Sequence, residues 1–119
     1  MEKKPSKYKI QKEEIPEFNL SAEVERLQKQ LDRDPKSKVF LPLAEEYRRS
    51  KMPEEAIYIL EEGIKYNPAY TAAKIALVRA YLDISKIMKA KKVIDEILLK
   101  MPHNPLALKL HGDISFREG

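Results

Sequence analysis

The chain has 119 residues, of which 35% are charged and 43% hydrophobic, and its formal net charge at pH 7 is +4. This length suits a single domain. The absence of cysteine excludes disulfide bonds, thiolate metal ligands and cysteine nucleophiles, and no apolar run approaches the roughly 18 residues of a transmembrane helix. The lysine-rich N-terminus has no apolar core after it and so is not typical of a secretory signal. We therefore expect a cytoplasmic protein, and the many Ala, Leu, Glu and Lys residues favour an all-α fold.

The first segment, residues 1–18, is predicted to be a flexible, charged N-terminal arm. Pro5 and Pro16 interrupt any helix, and the apolar residues follow no helical period. The alternative is a docking segment, because Ile15 and Phe18 flank Pro16 and could fill a groove in a partner.

Residues 19–34 are predicted to form a helix, because apolar residues recur there at helical spacing. Ser21 can cap the N-terminus of this helix, and Pro35 comes directly after its end. The apolar stripe is narrow, so the helix must pack on the helices after it in the chain, either as an N-terminal cap or as the degenerate half of a repeat. In the next helix, Pro42 predicts either a start near Leu41 or a kinked first turn.

A period of 34 residues organises the rest of the chain. Residues 37–68 and 71–102 each contain two predicted helices and end at a proline. The positions that are identical at this offset are Leu43/Leu77, Tyr47/Tyr81, Ala56/Ala90, Glu62/Glu96 and Pro68/Pro102. Small residues near the turn would let the two helices approach, and large residues would fill the space behind them. A third unit, residues 105–119, supplies only a first helix.

These units resemble the tetratricopeptide repeat (TPR) family, whose unit is a 34-residue helix–turn–helix. The first repeat carries the signature residues Phe40, Leu43, Ala44, Tyr47, Ala56, Leu60 and Pro68. The second repeat departs at Lys74, where a large aromatic residue is usual, and the third has Gly112 at the small-residue position. The resemblance implies an all-α superhelix of about six helices in antiparallel pairs, whose first helices line a concave groove.

Carried over from the family, the groove positions imply a partner-binding surface that mixes charged and apolar side chains. Its candidate residues are Lys38, Leu41, Glu45, Arg48, Ile75, Arg79, Leu82, Lys109, Asp113 and Phe116. Further groove positions are held by Arg49, Asp83 and Arg117. Such a surface suits an extended or helical peptide with acidic groups and apolar anchors.

One specialised subclass of the family binds the C-terminal tails of chaperones. It holds the two terminal carboxylates in a clamp of lysine, asparagine and arginine side chains. Here Leu41, Glu45 and Ala76 stand at three of the clamp positions. The clamp is therefore absent, and the sequence does not predict binding of a chaperone C-terminal tail.

The positive charge is concentrated in the second repeat, since residues 69–102 carry a net +4. Lys86, Lys89 and Lys92 lie in its second helix, which the resemblance places on the convex side. They form either a basic patch for nucleic acid or an anionic surface, or a solvated outer face. No aromatic residues interleave with these lysines, which disfavours binding of single-stranded nucleic acid.

The usual residues of catalysis and metal binding are missing. His103 and His111 have no neighbouring acidic cluster, and there is no glycine-rich phosphate loop or nucleophile elbow. We therefore predict no cofactor and no enzymatic activity. The leading prediction is an adaptor or scaffold that binds a protein or peptide in its groove. The alternative is a module for homo-oligomeric assembly, because the single helix of the third repeat would leave apolar surface uncovered.

Overall fold

The computed structural model describes residues 21–118, which fold into six α-helices. The helices are α1 (Ala22–Arg33), α2 (Phe40–Arg49), α3 (Pro53–Tyr66), α4 (Thr71–Asp83), α5 (Ile87–Lys100) and α6 (Pro105–Glu118). No strand occurs in this range, so the predicted all-α fold is confirmed. The predicted N-terminal arm, residues 1–18, lies outside the described residues.

The helices pack as pairs that are stacked in chain order. α2 lies against α3 and α4 lies against α5, and the short connections make each pair antiparallel. Consecutive pairs meet where α3 contacts α4 and α5 contacts α6, while α1 packs on α2. α4 also contacts both α2 and α6, so these three helices lie side by side.

The core of the first pair depends on an aromatic ring that lies against a glycine. Phe40 of α2 is fully buried, and a Cβ atom added to Gly63 of α3 would overlap its ring. The ring of Tyr70 meets Phe40 edge-on, with 5.8 Å between the centroids. Gly63 is therefore required for the close approach of α3 to α2.

The helix ends follow local sequence signals. The Ser21 side chain accepts a hydrogen bond from the Val24 amide at 3.1 Å, so this residue caps α1 as predicted. α2 begins at Phe40, which places Pro42 in its first turn. A proline is tolerated there because the first amides of a helix have no intrahelical acceptor.

The turns within the two complete pairs have the same geometry. Lys51 and Ser85, which are 34 residues apart, both adopt a left-handed backbone with φ of 65° and 59°. The amide of the next residue then donates to the carbonyl oxygen of Tyr47 or Tyr81, at 2.9 Å in both cases. The period found in the sequence thus extends to the backbone hydrogen bonds of the turns.

Candidate functional site

The C-terminal half of α4 and the facing surface of α6 enclose a cleft of about 230 Å³, which Arg48 of α2 also lines. Its lining residues are Arg48, Arg79, Leu82, Asp83, Lys109, Leu110, Asp113 and Arg117. Half of the groove residues predicted from the sequence therefore meet at one place. Leu110 also lines the cleft and was not among the predicted groove residues; it lies 34 residues after Ala76 and so shares its register in the repeat.

The cleft combines an excess of positive charge with an apolar floor. Four of its side chains are cationic and two are carboxylates. Leu82 and Leu110 supply the floor and are 8% and 6% exposed. Such a site can hold an acidic group at its rim while it buries a small part of an apolar side chain.

Two arginines from opposite sides converge on the end of α4. Arg48 Nε lies 2.5 Å from Asp83 Oδ2, which joins α2 to α4. Arg117 Nη1 of α6 donates to the carbonyl oxygen of Leu82 at 3.2 Å. Glu45 Oε1 also lies 3.7 Å from Arg48 Nη1. These contacts fix the lateral spacing of the three helices and hold both guanidinium groups in place.

The remaining two cations of the cleft differ in their pairing. Lys109 Nζ lies 3.4 Å from Asp113 Oδ2, one turn along α6. Arg79 is partly exposed and makes no side-chain hydrogen bond or ion pair with another residue in the range 21–118. Arg79 is therefore the cation of the cleft that is most available to a ligand.

The other predicted groove residues lie outside this cleft. Lys38 Nζ is 5.1 Å from the centroid of the Tyr70 ring, and Leu41 is half-buried beside the core. Ile75 is 4% exposed, so its side chain belongs chiefly to the core and offers little surface to a ligand. Phe116 is 87% exposed and does not line the cleft. The position of a residue in the repeat predicted the helix face, but not how deeply its side chain is buried.

A second opening continues the cationic surface toward the turn between α2 and α3. It has a volume of about 570 Å³ and shares Arg48 and Asp83 with the cleft. Arg49 and Lys51 add positive charge there, although Arg49 is paired with Glu46 at 2.6 Å. An extended ligand could therefore follow positive charge from α6 across α4 to this turn.

The three lysines of the predicted convex patch, Lys86, Lys89 and Lys92, are all exposed. Lys89 and Lys92 border a shallow opening of about 280 Å³ together with Tyr81. Lys89 Nζ lies 5.9 Å from the centroid of the Tyr81 ring, a contact that sequence spacing did not predict. The Tyr81 hydroxyl donates to Glu61, which ties α4 to α3 beside the patch.

Neither a membrane-spanning helix nor a metal-binding group occurs in the part of the chain that the structure describes. No helix there is both long and apolar enough to cross a bilayer. No three His, Asp or Glu side chains cluster there as metal ligands would.

The family model for the tetratricopeptide repeat matches residues 47–114, which is more than half of the chain. The chain therefore belongs to the tetratricopeptide repeat family. The matching family model describes a protein-interaction fold and not a catalytic family. None of the curated proteins compared with the chain matches it in sequence.

Two solved structures show the same architecture. The first TPR of Spaghetti (RPAP3), bound to the HSP90 peptide SRMEEVD, is 25% identical with a TM-score of 0.74. The match covers 79% of this chain and 75% of that one. The second TPR domain of human RPAP3, in complex with the HSP70 peptide SGPTIEEVD, is 22% identical with a TM-score of 0.72 and supports the fold alone. That match covers 77% of this chain and 78% of the other.

Proposed function

We propose that this chain is a non-enzymatic adaptor that holds an acidic segment of a partner protein in the cleft between α4 and α6. The observation that carries the proposal is the convergence of Arg48, Arg79, Lys109 and Arg117 around an apolar floor. The partner segment would supply carboxylates to the cations and an apolar side chain to Leu82.

The peptide-bound relative supports this class of function. The first TPR of Spaghetti (RPAP3) is described with a bound HSP90 peptide of sequence SRMEEVD, which contains carboxylates and apolar residues. The proposed ligand shares this chemistry. The difference lies in the clamp positions, which here hold Leu41, Glu45 and Ala76.

A reversal of charge in the cleft tests the proposal. Two pools of fluorescent peptides serve as probes: one rich in Glu, Asp, Leu and Phe, and one with Lys in place of the acidic residues. We expect the acidic pool to bind, and Arg79→Glu with Lys109→Glu to weaken that binding at least about tenfold. Fluorescence anisotropy gives the affinities, and circular dichroism checks that helicity is unchanged.

The matched control makes the same change of charge on the convex side. The variant Lys86→Glu with Lys92→Glu alters two exposed lysines and should leave peptide binding within about twofold, because neither residue lines the cleft. Equal losses of peptide affinity in the two variants would mean that the net charge of the protein, and not the cleft, determines binding. Loss in the convex variant alone would favour the basic patch as the site for acidic partners.

The same probe can show whether a terminal carboxylate is recognised. Leu41 and Ala76 are apolar and Glu45 is acidic, so these three positions of the chaperone clamp offer no side-chain donor to a chain terminus. We expect SRMEEVD to bind no better than the same peptide with an amidated C-terminus. A clear loss of affinity on amidation, measured by calorimetry, would show that this chain has its own terminal-carboxylate clamp.

A further inference from the structure

The ion pair between Arg48 and Asp83 separates two positively charged parts of the groove surface. This bridge joins α2 to α4 and lines both the cleft and the second opening. Glu45 also contacts Arg48, so two carboxylates share one guanidinium group there. The bridge therefore has a local excess of negative charge, although cationic side chains lie on both sides of it.

On the α6 side of the bridge, cations outnumber carboxylates. Arg79, Lys109 and Arg117 line the cleft, and apart from Asp83 of the bridge its acidic side chain is Asp113. Asp113 pairs with Lys109, and Arg79 has no ionic partner in the range 21–118. This part of the surface holds the acidic group that the proposed function requires.

On the other side of the bridge, the turn between α2 and α3 supplies a further cation. Lys51 lines the second opening, is exposed, and makes no side-chain hydrogen bond or ion pair within residues 21–118. Its backbone is held in the turn, because its amide donates to the carbonyl oxygen of Arg48 at 3.1 Å. The equivalent turn of the second repeat has Ser85 at this position, so this cation belongs to the first repeat alone.

The two cationic parts lie at one level along the helices and are two helix spacings apart. Arg49, Asp83 and Arg117 are 34 residues apart in the chain, so they hold equivalent positions on α2, α4 and α6. α4 contacts both of the other helices, and α2 does not contact α6. Packed helices lie about 8–10 Å apart, which places the two parts about 16–20 Å from each other. An extended chain spans this distance in about six residues, at about 3.3 Å per residue.

We propose that the partner segment is extended and carries two acidic clusters about six residues apart, with uncharged residues between them. The inference rests on the proposed function, because Arg79 and Lys109 hold the first cluster. Lys51 binds the second cluster, and the uncharged residues cross the bridge. A helical segment rises only about 1.5 Å per residue, so with this spacing it would not reach the turn.

Synthetic peptides with stiff spacers test the spacing. Two Glu-Leu-Glu clusters are joined by one, three or seven prolines, which sets their centres about 12, 19 or 31 Å apart at about 3.1 Å per residue and keeps the net charge equal. NMR titration of the full chain gives the affinities. We expect the three-proline peptide to bind at least about fivefold more tightly than the other two. Equal affinity of all three peptides overturns the proposal.

A substitution of Lys51 tests the second point of attachment. The reference is a single-cluster peptide, which has three prolines and glutamine in place of both glutamates of the second cluster. Lys51→Glu should remove most of the advantage of the two-cluster peptide and change the affinity of the single-cluster peptide less than about twofold. Equal weakening of both peptides would assign the effect to the overall field of the protein and contradict binding at the turn.

The matched control is Lys92→Glu, which makes the same change of charge at an exposed lysine outside both openings. It should leave both affinities within about twofold. Circular dichroism checks that the helicity of each variant is that of the unmodified chain. A loss of affinity in Lys92→Glu as large as in Lys51→Glu would also overturn the proposal.

A charge in the spacer tests the role of the bridge. Glutamate in place of the central proline adds a carboxylate, and glutamine at the same place is the control. We expect the glutamate peptide to bind no more tightly than the glutamine peptide, because the carboxylates of Glu45 and Asp83 lie at the bridge. Clearly tighter binding of the glutamate peptide would mean that the net charge of the ligand, and not its pattern, determines affinity.

The single-cluster peptide distinguishes this inference from the proposed function. If Arg79→Glu with Lys109→Glu weakens its binding while the spacing has no effect, the cleft remains the binding site and the two-cluster ligand is wrong. If no peptide binds, or if that variant leaves every affinity unchanged, the proposed function fails together with the inference.

Discussion

At the scale of single residues, the two glycines of the helices have opposite roles. Gly63 lies against the Phe40 ring, whereas Gly112 faces open space. The repeat places both at positions for small residues, yet only one of them is enclosed by its neighbours. The same substitution should therefore change stability in opposite directions at the two sites.

Gly63→Ala should destabilise the protein by ~1–3 kcal/mol, because the added methyl group forces the Phe40 ring out of its place. Gly112→Ala should stabilise the monomer by ~0.5–1 kcal/mol, because alanine is the better helix former and meets no neighbour. Urea unfolding at low protein concentration, followed by circular dichroism, gives both free energies. A stabilising effect at Gly63 would contradict the packing described for α2 and α3.

At the scale of the elements, each complete helix pair closes on a turn that contains one left-handed residue. Lys51 and Ser85 take this conformation although neither is glycine. The left-handed region costs an L-residue roughly 1–2 kcal/mol, and glycine avoids most of that cost. A glycine in place of the left-handed residue should therefore stabilise the fold at each of the two equivalent turns.

Lys51→Gly and Ser85→Gly should each stabilise the fold by ~0.5–1 kcal/mol, after the greater freedom of glycine in the unfolded chain is subtracted. Thermal unfolding should show two similar increases in Tm. Lys92→Gly in the middle of α5 is the matched control, and it should lower stability by ~1 kcal/mol. A decrease at both turns would mean that their side chains contribute more than the backbone strain costs.

At the scale of the whole molecule, stability at alkaline pH depends on two tyrosines that occupy equivalent positions in the two repeats. Burial raises the pKa of Tyr47 to about 12, and the carboxylates of Glu55 and Asp32 add to the shift. The pKa of Tyr81 is also raised, first by burial and then by its hydrogen bond to Glu61. Both hydroxyl groups stay protonated in the folded chain at a pH where unfolded tyrosine ionises.

The stability of the fold should therefore decrease above pH ~10, the pKa of unfolded tyrosine. Above that value the unfolded chain binds fewer protons than the folded one, so the free energy of unfolding falls as the pH rises toward about 12. Tyr81→Phe should flatten this decrease in urea unfolding measured at several alkaline pH values. Tyr66→Phe changes an exposed ring and should keep the wild-type slope. An unchanged slope in Tyr81→Phe would show that Tyr81 does not contribute to the loss of stability at alkaline pH.

The sequence predicted the features that depend on the local spacing of residues, such as the helices. It predicted fewer of the features that depend on how far a side chain extends, such as ion pairs between helices. Apolar spacing and prolines located the helices, because these signals act within one or two turns. The bridge from Arg48 to Asp83 joins residues 35 positions apart. Its formation depends on the rotamers of a long side chain, which spacing does not specify. Likewise, family position placed Ile75 on the groove helix, but its burial is set by the neighbouring helices.

The ion pairs that line the cleft also bear on the lifetime of a complex. Arg48 and Lys109 are already engaged by Asp83 and Asp113, so an arriving carboxylate exchanges one ionic partner for another. The Arg48 side chain already contacts the carboxylates of Glu45 and Asp83, so it loses less rotational freedom on binding than a free arginine would. The net gain of each exchange is small, since the existing ion pair is broken and the arriving carboxylate must lose part of its hydration shell. For the proposed acidic ligand we therefore expect a complex that dissociates rapidly.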